Sequence, residues 1–150
     1  MPDPAPLDLA ITTGEPSGIG PDITIGALLQ FAANRGANGG NVGHGGAVRF
    51  HVIGDARLLD QRAEALGVAH AWARRIADGD VIVEDIALGV HCEPGRLDAR
   101  NGHYVLALLD AAVARRLGDA PETLPRWDEL ARRFATATRL EVAFWGLGRV

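Results

Sequence analysis

Residues 11–22 read ITTGEPSGIGPD, and the form they take decides the fold. Three glycines and two prolines stand there between an apolar, β-branched run, LDLAITT at 7–13, and what reads as a helix start. The run predicts a strand ending at Gly14. Pro21 suits the first helical position, where a missing N–H costs nothing, and Asp22 suits the positive end of the helix dipole. Ile23, Ala27, Leu28 and Phe31 then recur at helical spacing, with Gly36 as the expected stop.

Downstream, GANGGNVGHGG (36–46) is low in complexity and reads as a flexible surface loop. AVRFHVIG (47–54) predicts a second strand. Asp55 is a good N-cap for ARLLDQRAEALG, with Leu58, Leu59, Ala63 and Leu66 on one side and Gly67 as terminator. DVIVEDI (80–86) predicts a third strand. Pro94 and Gly95 mark a turn, and a long helix follows from about Asp98 or Asn101. Its apolar stripe is Val105, Leu108, Leu109, Ala112 and Val113, and Gly118 closes it. LPRWDELARRFATA suggests an amphipathic helix with Leu124, Trp127, Leu130, Ala131 and Phe134 on one face, and RLEVAFWGLG a last strand. No internal repeat is present. Strands alternating with helices imply parallel pairing through crossovers, hence an α/β sheet covered on both faces.

Bulk properties narrow the function. A chain of 150 residues is one domain in size and can bury roughly 70% of its unfolded surface. An apolar fraction of 47% with 23% charged is ordinary for a soluble globular protein. A net charge of −4 argues against a phosphate-backbone binder, so no nucleic-acid partner is expected. All 15 basic residues are arginine, which excludes Schiff-base and P-loop lysines from this chain. Cys92 is alone and suits a reducing cytoplasm. The start, MPDPAPLDLA, lacks the basic and apolar regions of a signal peptide, and no apolar run approaches the ~20 residues of a membrane span. The expectation is a cytoplasmic protein with no membrane partner.

In an α/β sheet, ligands gather at the carboxyl ends of strands, where helix N-termini attract anions. Gly14, Glu15, Gly18, Gly20 and Asp22 occupy such a place. The glycines permit positive φ and close approach of a ligand to the backbone, and Glu15 offers an acceptor to a ribose or substrate hydroxyl. The spacing, however, is G-x-x-x-G-x-G, which is neither the dinucleotide fingerprint nor a triphosphatase loop. On the residues alone, a tight strand-to-helix turn is the better reading. His44, His51, His70, His91 and His103 show no metal-ligand spacing and read as surface or core-edge histidines. His91 and Cys92 are adjacent, so in extended chain they point to opposite faces. Trp127 and Trp145 read as packing residues, and Glu84 with Asp85 as a strand edge. The residues offer no catalytic or metal-binding set.

Three blocks in order, AITTGEPSGIGPDITIGALL, VIGDARLLDQRAEALG and PGRLDARNGHYVLALLDAAV, resemble the amino-terminal third of 4-hydroxythreonine-4-phosphate dehydrogenases. The first block is also similar to the GDGIGPE opening of isocitrate and isopropylmalate dehydrogenases. The resemblance covers residues 9 to about 117. It implies an α/β parallel-sheet domain of the isocitrate/isopropylmalate dehydrogenase type, incomplete here, over 1–117, with a divergent tail over 118–150. It implies NAD- or NADP-dependent oxidation of 4-phosphohydroxy-L-threonine with loss of carbon dioxide, in pyridoxal 5'-phosphate biosynthesis. In that family a divalent metal held by histidines polarises the alcohol, and homodimers carry the sites in an interdomain cleft.

After Leu117 the family continues with TAPVHK-like and histidine-bearing segments, whereas this chain reads GDAPETLPRWDELARRFATATRLEVAFWGLGRV. No family metal ligand or phosphate-holding residue carries over. What carries over is the turn, Gly14, Glu15, Pro16, Gly18, Gly20 and Asp22, with Ser17 in place of alanine, expected to border the cofactor cleft. Asn101–Tyr104 carries over as a helix opening. The chain therefore reads as a truncated or frame-disrupted dehydrogenase, inactive alone and prone to self-association. The rival readings are a non-catalytic nucleotide-binding or interaction fragment, and a sister dehydrogenase of another phosphorylated hydroxy acid.

Overall fold

The computed structural model describes residues 7–37 and 48–117, together with positions 128, 129, 132, 133, 135, 136 and 139. Three strands form one parallel sheet in the order β1 (Leu7–Thr12), β2 (Val48–Gly54), β3 (Val81–Asp85). Leu9 lies opposite Phe50, and Phe50 opposite Val81; Ile11 lies opposite Val52, and Val52 opposite Val83. Parallel neighbours need crossovers. These are α1 (Gly20–Ala37) between β1 and β2, and the pair α2 (Ala56–Ala65) and α3 (Ala69–Ala77) between β2 and β3. After β3 a single turn of 3-10 helix, Ala99–Asn101, leads into α4 (Gly102–Leu117). The chain divides into two compact units that meet in sequence at Ala112 and Val113, inside α4.

Alternation along β2 explains why both faces are covered. Phe50 and Val52 point to one side and join Ile25 and Leu28 of α1, Leu59 and Ala63 of α2, Trp72 of α3 and Val81 in the main core. Phe31 of α1 meets Phe50 edge-on, ring centroids 5.1 Å apart. Ile53 points to the other side and is buried with Tyr104 and Leu108 of α4.

The three strands and the α/β class are as the sequence predicts, and several details differ. In α1 the buried stripe is Pro21, Thr24, Ile25 and Leu28, while Ile23 and Ala27 face solvent. Leu28 and Phe31 of the expected stripe do lie on the inner side, so the spacing from Ile23 is right for its second half and a turn's fraction out of phase for its first. The helix also runs through Gly36 to Ala37. Leu66 is the C-cap of α2 and is exposed, with Gly67 at φ +71° ending the helix as expected. In α4, Leu109 and Val113 are exposed, and Tyr104, Val105 and Leu108 make the inner face. The helix α3 has no counterpart in the sequence reading. Of the loop expected at 36–46, residues 38–46 lie outside the described residues, as do the apolar face at Leu124, Trp127, Leu130, Ala131 and Phe134 and the expected last strand beyond Arg139; Arg139 itself is helical.

Candidate functional site

At the carboxyl end of β1 the chain must reverse from sheet to helix within seven residues. Thr13 closes the strand: its N–H donates to the Ile53 carbonyl at 3.2 Å, and its Oγ1 lies 3.3 Å from the Tyr104 hydroxyl. Gly14 then takes φ +71°, a conformation that a side chain disfavours, and the space beside it is open. The Gly18 N–H returns to the Glu15 carbonyl at 3.1 Å, and a Cβ on Gly18 would sit 3.3 Å from that same oxygen. A Cβ on Gly20 would collide with the Thr13 carbonyl oxygen. Gly18 and Gly20 thus answer to the closeness of the chain to itself, whereas Gly14 combines positive φ with free space.

The other turn residues are placed as follows. Asp22 receives a two-pronged ion pair from Arg62, Nε to Oδ1 at 2.6 Å and Nη2 to Oδ2 at 2.5 Å, which ties α1 to α2. That pairing holds the Arg62 guanidinium above its ordinary pKa. Both Glu15 carboxylate oxygens are enclosed and have no hydrogen-bond partner. Ile19 and Ile23, one helical turn apart, are exposed on the outer side of the turn.

A second layer supports this one. Asp55 caps α2, accepting from the Leu58 N–H at 2.7 Å, and its other oxygen accepts from the Leu88 N–H at 2.7 Å. The Asp55 N–H donates to the Tyr104 hydroxyl at 2.9 Å. Burial pushes the Tyr104 phenol up, against the Thr13 and Asp55 hydrogen bonds that lower it. The loop after β3 reaches the turn from the other side: the Gly95 N–H donates to the Ser17 carbonyl at 2.7 Å, and Cys92 Sγ approaches the Pro16 carbonyl at 3.7 Å. Burial, then the Glu15 carboxylate, pushes the Cys92 thiol up, so this thiol is a poor nucleophile.

The histidines are dispersed. His51 is buried on the sheet between Asp8 of β1, 3.4 Å from Nε2, and Glu84 of β3, 3.2 Å from Nδ1. His70, His91 and His103 are exposed, and His44 lies outside the described residues. Among the described residues no three His, Cys, Asp or Glu side chains gather to hold a metal ion. Sequence reasoning missed Ser17 and Cys92 as neighbours of one turn. It found Tyr104 only as part of a helix opening.

No family model matches the chain. Individual relatives do. The chain is 64% identical over 114 residues, 76% of its length, to 4-hydroxythreonine-4-phosphate dehydrogenase of Cupriavidus pinatubonensis, of which it covers 29%. It is 48% identical over 114 residues to the protein of that name from Ralstonia nicotianae, covering 31% of it. The Burkholderia vietnamiensis protein is 46% identical over 124 residues, of which the chain covers 34%. Through these residues the chain is a homologue of the 4-hydroxythreonine-4-phosphate dehydrogenases, and it spans about a third of their length.

Proposed function

We propose that the chain supplies the strand–turn–helix shell of an NAD- or NADP-dependent 4-hydroxythreonine-4-phosphate dehydrogenase, on a fold of the isocitrate/isopropylmalate dehydrogenase type, and carries out no oxidation by itself. The observation behind this is the 64% identity over 76% of the chain, joined to a span of only 29% of the relative. The relatives' shared name states a dehydrogenation of a phosphorylated hydroxy amino acid. A nicotinamide accepts the hydride in such a reaction, and the protein's task is to hold and orient it.

The residues present fit part of that task. Gly14 leaves its backbone open to a ligand, and Gly18 and Ile19 beside it are exposed, with Ile23 extending the apolar surface by one helical turn. This rim lies beyond the carboxyl end of β1, where ligands of open α/β sheets bind. Gly14, Gly18 and Ile19 would flank the flat ring of a nucleotide, while Asp22 is engaged by Arg62 and shapes the rim instead. A histidine-held divalent metal does not fit the described residues, because their histidines do not converge.

Calorimetric titration with NADP and with NAD, paired with amide NMR shifts, tests the cofactor rim. Saturable binding with the largest shifts at Gly14, Gly18 and Ile19 is expected. No heat and no shift at millimolar cofactor, or shifts confined to other elements, would refute it. Binding without turnover would favour the non-catalytic nucleotide-binding reading of this chain, which the open rim also supports.

A further inference from the structure

A helix packed on one side only carries its apolar residues on that side. The helix α4 departs from this. Tyr104 and Leu108 are buried with Ile53, and Val105, Ala111 and Ala112 are partly buried beside them. On the opposite side Leu106, Leu109 and Val113 stand exposed, at 59%, 45% and 42%. Spacings of three and four residues keep them in one row along the helix. Gly102 begins the row, and nothing lies within 4 Å of where its Cβ would be. Large apolar side chains aligned in this way differ from the single exposed leucines that any surface carries.

Gly102, Leu106, Leu109 and Val113 follow the four-three-four spacing of a coiled-coil seam, whose flanking positions set the partner and its direction. On one flank stand His103 and Asp110, both exposed, and neither side chain has a hydrogen bond or ion pair among the described residues. On the other flank stand Val105 and Ala112, which carry no charge and lean on the inner cluster. A parallel copy would set the charged flank of one helix against the apolar flank of the other. An antiparallel copy sets charged flank against charged flank. With Leu106 over Leu109 of the second copy, His103 comes beside Asp110 of the second copy, and Asp110 beside its His103. The row is thus complementary to itself, as a two-fold contact requires. Antiparallel helices also bring opposite dipole ends together.

We propose that the Leu106, Leu109 and Val113 face of α4 binds the same face of a second copy of this chain, antiparallel. A seam of three large side chains is much smaller than a standard interface of roughly 800 Å² per partner, so the pair is weak and depends on concentration. None of its residues belongs to the cofactor rim. It also differs in kind from the outer edge of β1, which lacks a strand partner among the described residues. That edge recruits another chain through backbone groups, whereas the α4 face does so through side chains.

Sedimentation velocity of the 150-residue chain carrying Leu9→Lys, which blocks the strand edge, tests it from about 10 µM to about 1 mM. A reversible monomer–dimer equilibrium is expected. Adding Leu106→Lys should raise the dissociation constant by about tenfold or more, because each copy then brings a charge into the seam. Leu106 is exposed, so circular dichroism and Tm of that variant at low concentration should match the parent. Charge variants read the direction. His103→Arg should tighten the dimer by about twofold to tenfold, through two exposed ion pairs with Asp110 of the second copy. Asp110→Arg added to it should reverse that gain, and His103→Glu with Asp110→Arg should restore it. A monomer throughout the range, leaving the face to some other polypeptide, would overturn the proposal. So would a dimer indifferent to Leu106→Lys, or one that the charge variants leave unchanged, as a parallel pair would be.

Discussion

A methyl group at position 20 would meet the carbonyl oxygen of Thr13, whereas one at position 26, on the exposed side of the same helix, would meet nothing within 4 Å. The two glycines therefore respond oppositely to alanine. Gly20→Ala should destabilise by about 1–3 kcal/mol through overpacking, and Gly26→Ala should stabilise by about 0.5–1 kcal/mol through helix propensity. Urea midpoints of the two variants measure both signs at once. Tyr104 gives a pH prediction at this scale. Burial raises its phenol in the folded chain, so the folded state holds the proton longer than the unfolded state. Stability is then full below the unfolded value of 10.0 and falls as pH rises through and beyond it. Tyr104→Phe should flatten that alkaline slope. It should also cost about 1–3 kcal/mol at neutral pH, because the buried Asp55 N–H loses its acceptor. Cys92 adds a loss of the same sign starting from 9.0, which Cys92→Ala removes separately.

Among the elements, α2 depends on one side chain. Asp55 accepts from Leu58 at the helix start and from Leu88 in the loop after β3. Asp55→Ala should cost about 2–4 kcal/mol, the sum of a lost cap and a lost charged hydrogen bond, and Asp55→Asn should cost less because it keeps the cap. Amide exchange at Leu58 and Leu88 would report each half. Asp55 as N-cap and Gly67 as terminator were legible because both act through local backbone geometry. The strands were legible because β-branched runs bounded by glycine have few other uses. The helix α3 was not: it is nine residues long, has no side-chain cap, and its one buried side chain is Trp72. The site was half legible. The turn's need for glycine can be seen in GEPSGIG, but that Gly20 serves the Thr13 carbonyl is a fact of tertiary approach. Ser17 and Asn101 were missed as buried groups because their polarity points to the surface.

For the first unit as a whole, apolar surface remains uncovered. Leu7 and Leu9 point to the side of the sheet that α1 and its neighbours cover at Ile11, yet both are exposed. Among the described residues β1 pairs only with β2, which leaves its outer edge available to another strand. Concentration-dependent association is expected, and sedimentation velocity should show Leu9→Lys shifting the chain toward monomer. A monomer at all concentrations, melting sharply above ~65 °C, would contradict this. The wider claim is that these residues form a shell around chemistry supplied elsewhere in the longer relatives. Its most direct measurement is the appearance of reduced nicotinamide when the purified chain meets 4-phosphohydroxy-L-threonine, NAD or NADP and a divalent metal. No rate above the protein-free blank is expected, and steady turnover in the ordinary enzymatic range of about 1–10³ s⁻¹ would contradict it.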